Sequence, residues 1–424
     1  MPVGDSGPAE GWPLDQGDDA ILLLDVVHAF PPEPERHVGV AVSGGGDSVA
    51  LLHLMVRACR HEGVPVSAVT VDHRLRPGSA AEAEAVAALC ATLGVPHRTL
   101  VWQHGEVTGN LMEAARKVRS RLISEWARAT GVTGVALGHT KDDAAESFVM
   151  GLARASGLDG LVGLRVRWRA EGLHWARPLI GHLRSDLRAY LLRQGLAWVE
   201  DPSNTDARFE RVRTRKALAV LSPLGINAET LDTTMLHLRL AQAALRDRLQ
   251  KFAQTSIEEA AGALFVDGKD FAALPFDEQR RLAVAIVRWI GGGEHPPRST
   301  PQLRLTNALR DGRPATLGGC RFRATGTGFV ALREPKAASG TVPVGTLWDH
   351  RWLIEGPPGE VRALGPKGLP QVRDWRTLGI PRDALLVTPA VWNGDTLLSA
   401  PVAGLQNGWK ARIVAPFHRF AVSH

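Results

Sequence analysis

The sequence has 424 residues, which at ~150 residues per domain predicts two to four domains. It is 44% hydrophobic and 22% charged, and its formal charge of +6 only weakly favours a polyanionic partner such as RNA. The three cysteines form no Cys-x-x-Cys pair, which argues against a disulfide framework or a thiolate zinc site. Without signal-peptide features or an apolar run of ~18 residues, we expect a cytoplasmic protein without a membrane partner.

Alternating strand and helix patterns fill the first part of the chain. Each buried strand pattern precedes a helix pattern, which is typical of βαβ units. We therefore expect the α/β class, with a doubly wound parallel sheet that binds ligands at the carboxyl ends of its strands. The predicted elements are helices over 18–30, 47–61, 79–93, 111–130 and 142–152, and strands over 37–42, 66–71, 97–102 and 132–137.

The rest of the chain changes character after a less regular, locally basic stretch over 161–216. Long helix patterns over 229–252 and 276–290 predict a small helical domain. Hairpin signals over 325–328 and 392–395 predict a β-rich α+β domain after it. The predicted domains are 18–222, 223–312 and 313–424.

A glycine-rich loop joins the first predicted strand to the helix after it. Glycines let the backbone approach an anion, and a helix N-terminus offers unpaired N–H groups and a partial positive charge. The loop carries one carboxylate, which suits a phosphate site if it holds Mg²⁺ and otherwise caps the helix. The loop residues are Ser43, Gly44, Gly45, Gly46, Asp47 and Ser48. Their pattern differs from the Walker loop and resembles that of the ATP pyrophosphatases, which split ATP between its α and β phosphates.

Polar side chains also end the second and fourth predicted strands. Asp72 and His73 lie where the adenosine half of a nucleotide on the glycine loop would reach, but the residues alone favour a structural loop histidine at position 73. Asp142, Asp143 and Glu146 open the helix after the fourth strand, and the last two share a face because they are three residues apart. Such acids either cap the helix or bind Mg²⁺ and a substrate amine. Both interpretations stay open on these residues alone.

Arginines recur along the helix predicted in the basic stretch. Arg184, Arg188 and Arg193 are spaced so that they form either an RNA-facing strip or a solvated face. These residues alone do not favour either alternative.

Six motifs occur in this sequence in a fixed order. Together they resemble the tRNA(Ile)-lysidine synthetase family, and the resemblance is strong over 38–216. Departures are Thr140, Ser147 and Val212, where the family often has His, Thr and Asn. The motifs are the glycine loop, Asp72-His73-x-Leu75-Arg76, Gly109-Asn110-x-x-Glu113-x-Ala115-Arg116, His139-x-x-Asp142-Asp143-x-x-Glu146, Arg177-Pro-Leu179 and Glu200-Asp201-x-Ser203-Asn204, followed by Arg211, Arg213 and Arg215.

The resemblance implies a two-step ligation. ATP adenylates the C2 oxygen of the wobble cytidine in a tRNA(Ile) with a CAU anticodon, and free L-lysine then attacks C2 and expels AMP. It also implies ATP and Mg²⁺ as cofactors, with the regions over 223–312 and 313–424 binding tRNA. The sequence leaves the oligomeric state open, with a homodimer as one alternative.

The resemblance gives each matched residue a role. The implied ATP-binding residues are Ser43, Gly44, Gly45, Gly46, Asp47, Ser48, Asp72, His73 and His139. The implied catalytic residues are Asp47, Asp143, Glu146, Arg211 and Arg215. The residues implied to bind lysine or tRNA are Arg116, Asp143, Glu146, Asp201, Asn204 and Arg213. The implied Mg²⁺ ligands are Asp47 and Asp142.

Two other functions compete with this interpretation. One is a different ATP pyrophosphatase, either a tRNA thiolase or a small-molecule synthetase. The motifs contain no cysteine, which argues against sulfur transfer. The other is a nucleotide- and RNA-binding protein without catalysis. The acids of the motifs argue against it, because carboxylates repel an RNA backbone.

Overall fold

The computed structural model describes residues 19–31, 36–74, 78–103, 111–200, 208–293 and 295–423. The chain divides into two compact units, Met1–Leu240 and Ala241–His424. The predicted domain boundaries at 222 and 312 stay a prediction. Within the described ranges, no helix combines the length and apolarity that a membrane crossing requires.

The first unit is built on a six-stranded sheet. Its strands are β1 (Val38–Ala41), β2 (Val66–Asp72), β3 (His97–Val101), β4 (Gly134–Leu137), β5 (Arg167–Ala170) and β6 (Leu173–Ala176). They lie in the order β3-β2-β1-β4-β6-β5, and only β5 at the edge is antiparallel to its neighbour. The sheet confirms the predicted α/β class.

Helices cover both faces of this sheet. The helices in chain order are α1 (Asp19–Val27), α2 (Gly46–His61), α3 (Ser79–Thr92), α4 (Leu111–Thr130), α5 (Lys141–Ala153), α6 (Leu158–Leu161), α7 (Arg184–Arg193), α8 (Glu210–Leu221) and α9 (Ala228–Thr255). The last of them, α9, begins in the first unit, where it packs on α5, and ends in the second. Alternate strand residues face opposite cores: Val40 packs with α1, α2 and α7, whereas Val135 packs with α4. The less regular stretch over 161–216 contains the β5–β6 hairpin, α7 and the beginning of α8.

The second unit is rich in β-structure. Its strands are β7 (Ile257–Ala260), β8 (Ala263–Asp267), β9 (Ala315–Leu317), β10 (Cys320–Ala324), β11 (Gly328–Arg333), β12 (Val342–Pro343), β13 (Trp352–Glu355), β14 (Glu360–Ala363), β15 (Pro389–Asn393), β16 (Thr396–Ser399) and β17 (Lys410–Ile413). They form sheets in the orders β7-β8-β11-β10-β9, β12-β14-β15-β16 and β13-β17. The pairings β10–β11 and β15–β16 confirm both predicted hairpins.

Helices and strands pack together in several hydrophobic clusters of this unit. Its helices are α10 (Gly268–Ala273), α11 (Phe276–Gly291), α12 (Ser299–Arg310), α13 (Gly365–Gly368), α14 (Arg382–Leu385) and α15 (Phe417–Ser423). Leu282 and Ile286 of α11 pack with Phe322 of β10. A buried ion pair lies nearby in sequence: Arg333 Nη2 donates to Asp349 Oδ1 at 2.9 Å, and the Ser339 hydroxyl donates to the same oxygen at 3.2 Å.

The three cysteines are free thiols buried in these cores. Burial raises the pKa of Cys59 and Cys90 to about 11 and that of Cys320 to about 12. A raised pKa disfavours the reactive thiolate. The cysteines therefore fill core volume.

Candidate active site

The glycine loop leaves a helix N-terminus open. Helix α2 begins at Gly46, and no side chain among the described residues caps its first turn. The Ser43 backbone N–H donates to Ser48 Oγ at 3.1 Å, and Ser48 Oγ donates to the Gly45 carbonyl at 2.9 Å. Gly44 has a φ of +89°, a conformation that favours glycine. The loop therefore presents backbone donors to an anion.

A second glycine brings the end of β4 against this loop. A Cβ added to Gly138 would lie 3.0 Å from Ser48 Cα and 3.1 Å from the Asp47 carbonyl oxygen. Both atoms belong to the backbone, which cannot move aside as a side chain can. The absence of a side chain at Gly138 thus lets the start of α5 lie beside the loop.

Two buried acids stand at the start of α5. Asp143 is 7% exposed and Glu146 is 1% exposed. Asp143 Oδ2 accepts from the Thr140 backbone N–H at 2.9 Å and from its hydroxyl at 3.0 Å, which completes a capping box. Thr140, a departure from the family pattern, therefore orients Asp143. Both acids lie on one face of α5, as their three-residue spacing predicts.

Arg184 links these acids to the glycine loop. Its Nε lies 3.0 Å from Asp47 Oδ2, its Nη2 lies 3.3 Å from Asp143 Oδ1, and its Nη1 lies 3.7 Å from Glu146 Oε1. The side chain is only 19% exposed. The interpretation of Arg184 as part of an RNA-facing strip or a solvated face was wrong. The structure shows that Arg184 is the first residue of α7, where a cation opposes the helix dipole.

The other two arginines of α7 form surface ion pairs. Arg188 Nη2 donates to Glu200 Oε1 at 2.7 Å, and Arg193 Nη2 donates to Asp19 Oδ1 at 2.5 Å. Their side chains are 47% and 44% exposed. Arg188 and Arg193 therefore lie on a solvated face of α7, which was one of the two predicted alternatives.

Helix α8 adds two more cations to the acids. Arg211 Nη1 donates to Asp143 Oδ1 at 3.4 Å, and Arg215 Nε donates to Glu146 Oε1 at 2.9 Å. The two arginines are four residues apart and so share a helix face. Arg213 lies off that face, is exposed, and donates to the Arg208 carbonyl at 2.9 Å.

Asp142 has a different local partner from Asp143. Its Oδ2 accepts from the Arg184 backbone N–H at 2.8 Å, which fixes the start of α7 against α5. Its predicted role as a Mg²⁺ ligand stays a prediction. The carboxylate in the loop itself is that of Asp47, whose pKa is raised by burial and by the nearby acids, while Arg184 opposes the rise.

The pKa of Asp143 shifts the other way. Burial alone would raise it, but Arg184, the Thr140 hydrogen bond and further cations outweigh burial and lower the pKa. Asp143 is therefore ionised at neutral pH. Glu146 Oε2 is buried and has no hydrogen-bond partner among the described residues. It is an acceptor without a donor inside the acid cluster, which we define as Asp47, Asp143 and Glu146.

A cationic group flanks the acid cluster. His139 Nδ1 accepts from Arg177 Nε at 3.1 Å. Burial and the adjacent Arg177 lower the pKa of His139 to about 3, so its imidazole is neutral at physiological pH. Burial, with Arg116 and Arg119 close by, lowers the pKa of Arg177 to about 10. Several positive charges thus lie beside a neutral ring, an arrangement that favours an anion.

The end of β2 is held by local contacts. Asp72 is buried, and its Oδ1 accepts from the Arg74 backbone N–H at 2.9 Å. Arg74 has a φ of 51°, which is uncommon for a residue with a side chain. The His73 ring lies edge-on to Trp102 with centroids 5.8 Å apart. This end of β2 is adjacent to β1, and the roles of Asp72 and His73 in nucleotide binding stay a prediction.

Some predicted residues are not brought into this cluster. Arg116 is exposed on α4. Asp201 and Asn204 lie outside the described residues, as do Leu75 and Asn110 of the motifs. The segment before Asp201 nevertheless meets the loop, because the Val199 backbone N–H donates to the Gly44 carbonyl at 3.0 Å.

Comparison with known proteins identifies the family. A model described as a PP-loop domain matches residues 22–221. The tRNA(Ile)-lysidine synthase of Ruegeria pomeroyi is 44% identical over 402 residues, covering 93% of this chain and 96% of that protein. The synthase of Hyphomonas neptunium is 36% identical over 78% of this chain and 90% of its own length. The synthase of Rhizobium meliloti is 34% identical, with coverages of 76% and 73%. The resemblance drawn from the motifs is thereby confirmed, and the chain belongs to the tRNA(Ile)-lysidine synthase family.

Proposed function

We propose that this chain uses ATP to join free L-lysine to the wobble cytidine of a tRNA(Ile) with a CAU anticodon, forming lysidine and releasing AMP and pyrophosphate. The observation that carries the proposal is the buried acid cluster beside an open helix N-terminus. A phosphate cradle and an amine-binding acid pair lie side by side, as a ligase that couples ATP cleavage to amine attack requires.

In the first step the cytidine C2 oxygen attacks the α phosphorus of ATP. A P–O bond forms, the bond to the β phosphate breaks, and pyrophosphate leaves with the bonding electrons. The backbone N–H groups of the glycine loop and the positive end of α2 stabilise that leaving charge. Asp72 and His73 at the end of β2 hold the adenosine half.

The residues present fit Mg²⁺ held together with phosphates. Asp47 supplies a hard carboxylate oxygen in the first turn of α2, and Asp142 lies at the start of α5. Among the described residues, no three His, Cys, Asp or Glu side chains form a metal site by themselves. This agrees with Mg²⁺, which is bound through one or two carboxylates and substrate phosphates. The ion would neutralise the departing pyrophosphate.

In the second step the lysine ε-amine attacks C2. A C–N bond forms, the C–O bond to AMP breaks, and the amine loses a proton. Asp143 and Glu146 hold the ammonium, and Glu146 Oε2 is the acceptor available to it. The carboxylates first take one proton from the ammonium, which frees the lone pair that attacks C2, and the proton lost after attack passes to solvent. Arg211 and Arg215 fix both carboxylates and stabilise the negative charge on the leaving AMP.

The remaining arginines contact RNA in this proposal. Arg116 and Arg213 are exposed and therefore able to reach phosphates of the anticodon loop. Asp201 and Asn204 belong to the same substrate-binding group. The regions over 223–312 and 313–424 bind the rest of the tRNA. A homodimer stays a prediction, which sedimentation of the full chain would check.

Sulfur transfer is the weaker alternative for this site. A tRNA thiolase needs a reactive cysteine. The three cysteines are buried, and their raised pKa values disfavour the thiolate. The thiol chemistry that would distinguish a thiolase is therefore disfavoured in this chain.

The testing experiment is lysine incorporation. The full chain is incubated with ATP, Mg²⁺, labelled lysine and tRNA(Ile) with a CAU anticodon, and in parallel with the same tRNA whose wobble C is changed. Label on the first tRNA alone, with one AMP released per lysine joined, is the expected result. AMP and pyrophosphate release without lysine would retain the ATP chemistry and overturn the lysine step. An Asp47→Ala chain that still turns over would overturn the assigned role of Asp47.

A further inference from the structure

Arg184 lies between the proposed phosphate site and the proposed amine site, whose substrates carry opposite charges. Its guanidinium contacts all three carboxylates of the acid cluster, from α2 and from two positions of α5. Asp143 and Glu146 have further cation partners in Arg211 and Arg215. For Asp47, Arg184 is the ion-pair partner that the described residues provide. Arg184 is therefore the cation that ties the loop acid to the amine-binding acids.

The formal charges of this group balance. Three carboxylates face three guanidiniums, those of Arg184, Arg211 and Arg215. Adding Mg²⁺ at Asp47 and an ammonium at Glu146 would place two more cations within a few ångströms of Arg184. Cations at such distances in a partly buried site repel each other strongly. Mg²⁺ and the ammonium would therefore compete with Arg184 for the same carboxylates, while the phosphates that arrive with ATP offer the guanidinium another partner.

Release of Arg184 resolves this conflict. Arg184 is the first residue of α7. Its side chain lies beside the N-terminus of α2 because it contacts Asp47 in the first turn of that helix. A guanidinium released from the acids would lie near phosphates bound at that N-terminus, and guanidinium groups bind phosphate well. The backbone N–H of Arg184 remains bonded to Asp142, which anchors the helix during that release.

We propose that Arg184 is a displaceable counter-cation. It holds the acid cluster together in the chain alone, and it yields Asp47 to Mg²⁺ and Glu146 to the lysine ammonium when ATP binds, turning to the phosphates. This inference rests on the proposed function, because it assumes those two cations. It makes Arg184 a positioning residue for the acids and a phosphate ligand in the loaded site.

The test measures the melting temperature of the full chain against MgCl₂ concentration, without ATP. The variants are Arg184→Gln, Arg184→Lys and the control Arg193→Gln, which removes a surface ion pair from the same helix. Without Arg184 the acids repel each other, and the Asp47 carboxylate loses its ion-pair partner and becomes a better Mg²⁺ ligand. We expect MgCl₂ to raise the melting temperature of Arg184→Gln by about 5 °C more than that of the parent chain or Arg193→Gln. Arg184→Lys keeps the charge and should fall between them.

An equal response of all four proteins to MgCl₂ would overturn the inference. The same preparations are assayed for lysine incorporation, which separates the two proposals. If the parent chain makes lysidine but all four proteins respond equally to MgCl₂, the inference about Arg184 is overturned and the proposed function stands. A parent chain that makes no lysidine loses the proposed function. Arg184→Gln should also raise the KM for ATP about tenfold or more, whereas a purely structural role would leave that KM unchanged in the folded fraction.

Discussion

His139 Nδ1 accepts a hydrogen bond from Arg177 Nε at 3.1 Å. This contact needs a neutral imidazole with its proton on Nε2, since a protonated ring has no acceptor. It also sets a direction for the pH dependence of stability. The folded pKa is about 3, and the ordinary value is 6.5. The unfolded chain thus binds more protons between those values, so this contribution to stability falls as pH falls below 6.5.

We therefore expect His139→Asn to flatten the acid loss of stability. An asparagine oxygen can still accept from Arg177, but it does not titrate. Between pH 6.5 and 4.5 the parent chain should lose up to about 1.4 kcal/mol per pH unit more than the variant. Melting temperatures measured across this range check the prediction. Parallel pH profiles for the two proteins would contradict the lowered pKa.

Gly138→Ala should damage the phosphate site through the backbone. The new Cβ would lie about 3 Å from backbone atoms of Asp47 and Ser48, which must shift. Overpacking of this kind costs about 1–3 kcal/mol of stability. It should also raise the KM for ATP, because the loop moves. The matched control is Gly157→Ala, whose Cβ would meet nothing within 4 Å. Equal ATP binding by both variants would show that the contact is unimportant.

Glu146→Gln should weaken lysine binding selectively. The amide retains an acceptor for Arg215 but loses the negative charge that an ammonium requires. A charge-assisted hydrogen bond is worth about 1.5–3 kcal/mol, so the KM for lysine should rise roughly 10–100-fold. The KM for ATP should change little. Glu210→Gln serves as the control because Glu210 pairs with Arg154 at the surface. A change in ATP binding without a change for lysine would reassign Glu146.

The second unit should depend on its buried ion pair. Arg333 and Asp349 are 5% and 1% exposed, and each is fixed by further hydrogen bonds. Asp349→Asn leaves a buried guanidinium without its counter-charge, which costs about 3–5 kcal/mol. Asp383→Asn is the control, since Asp383 pairs with Arg321 and Arg323 in a more exposed place and should cost less than about 1 kcal/mol. Denaturant unfolding of both variants measures the difference, and similar losses would contradict it.

Local patterns made much of the first unit predictable. The strand preceding Ser43 and the helix following Asp47 are fixed by short-range periodicity, which a sequence displays directly. The shared face of Asp143 and Glu146 follows from helix geometry alone. These features needed no knowledge of distant contacts.

Arg184 could not be placed in the same way. Its contact with Asp47 joins residues 137 positions apart, and helix spacing tells only which residues of one helix are neighbours. Arg188 and Arg193 share its helix yet lie at the surface, so composition could not separate the three. Only the packing of α7 on α2 distinguishes the buried arginine from the exposed ones.

Helix α8 pairs with α5 at two positions, Arg211 with Asp143 and Arg215 with Glu146. The spacing of the two arginines therefore matches the spacing of the two acids. An α-helix turns by about 100° per residue, so one residue inserted between the two arginines would rotate Arg215 away from its acid while Arg211 stayed in place. A substitution there changes one side chain, but an insertion would break the match between the two helices. The number of residues between these arginines is therefore constrained as tightly as their identity.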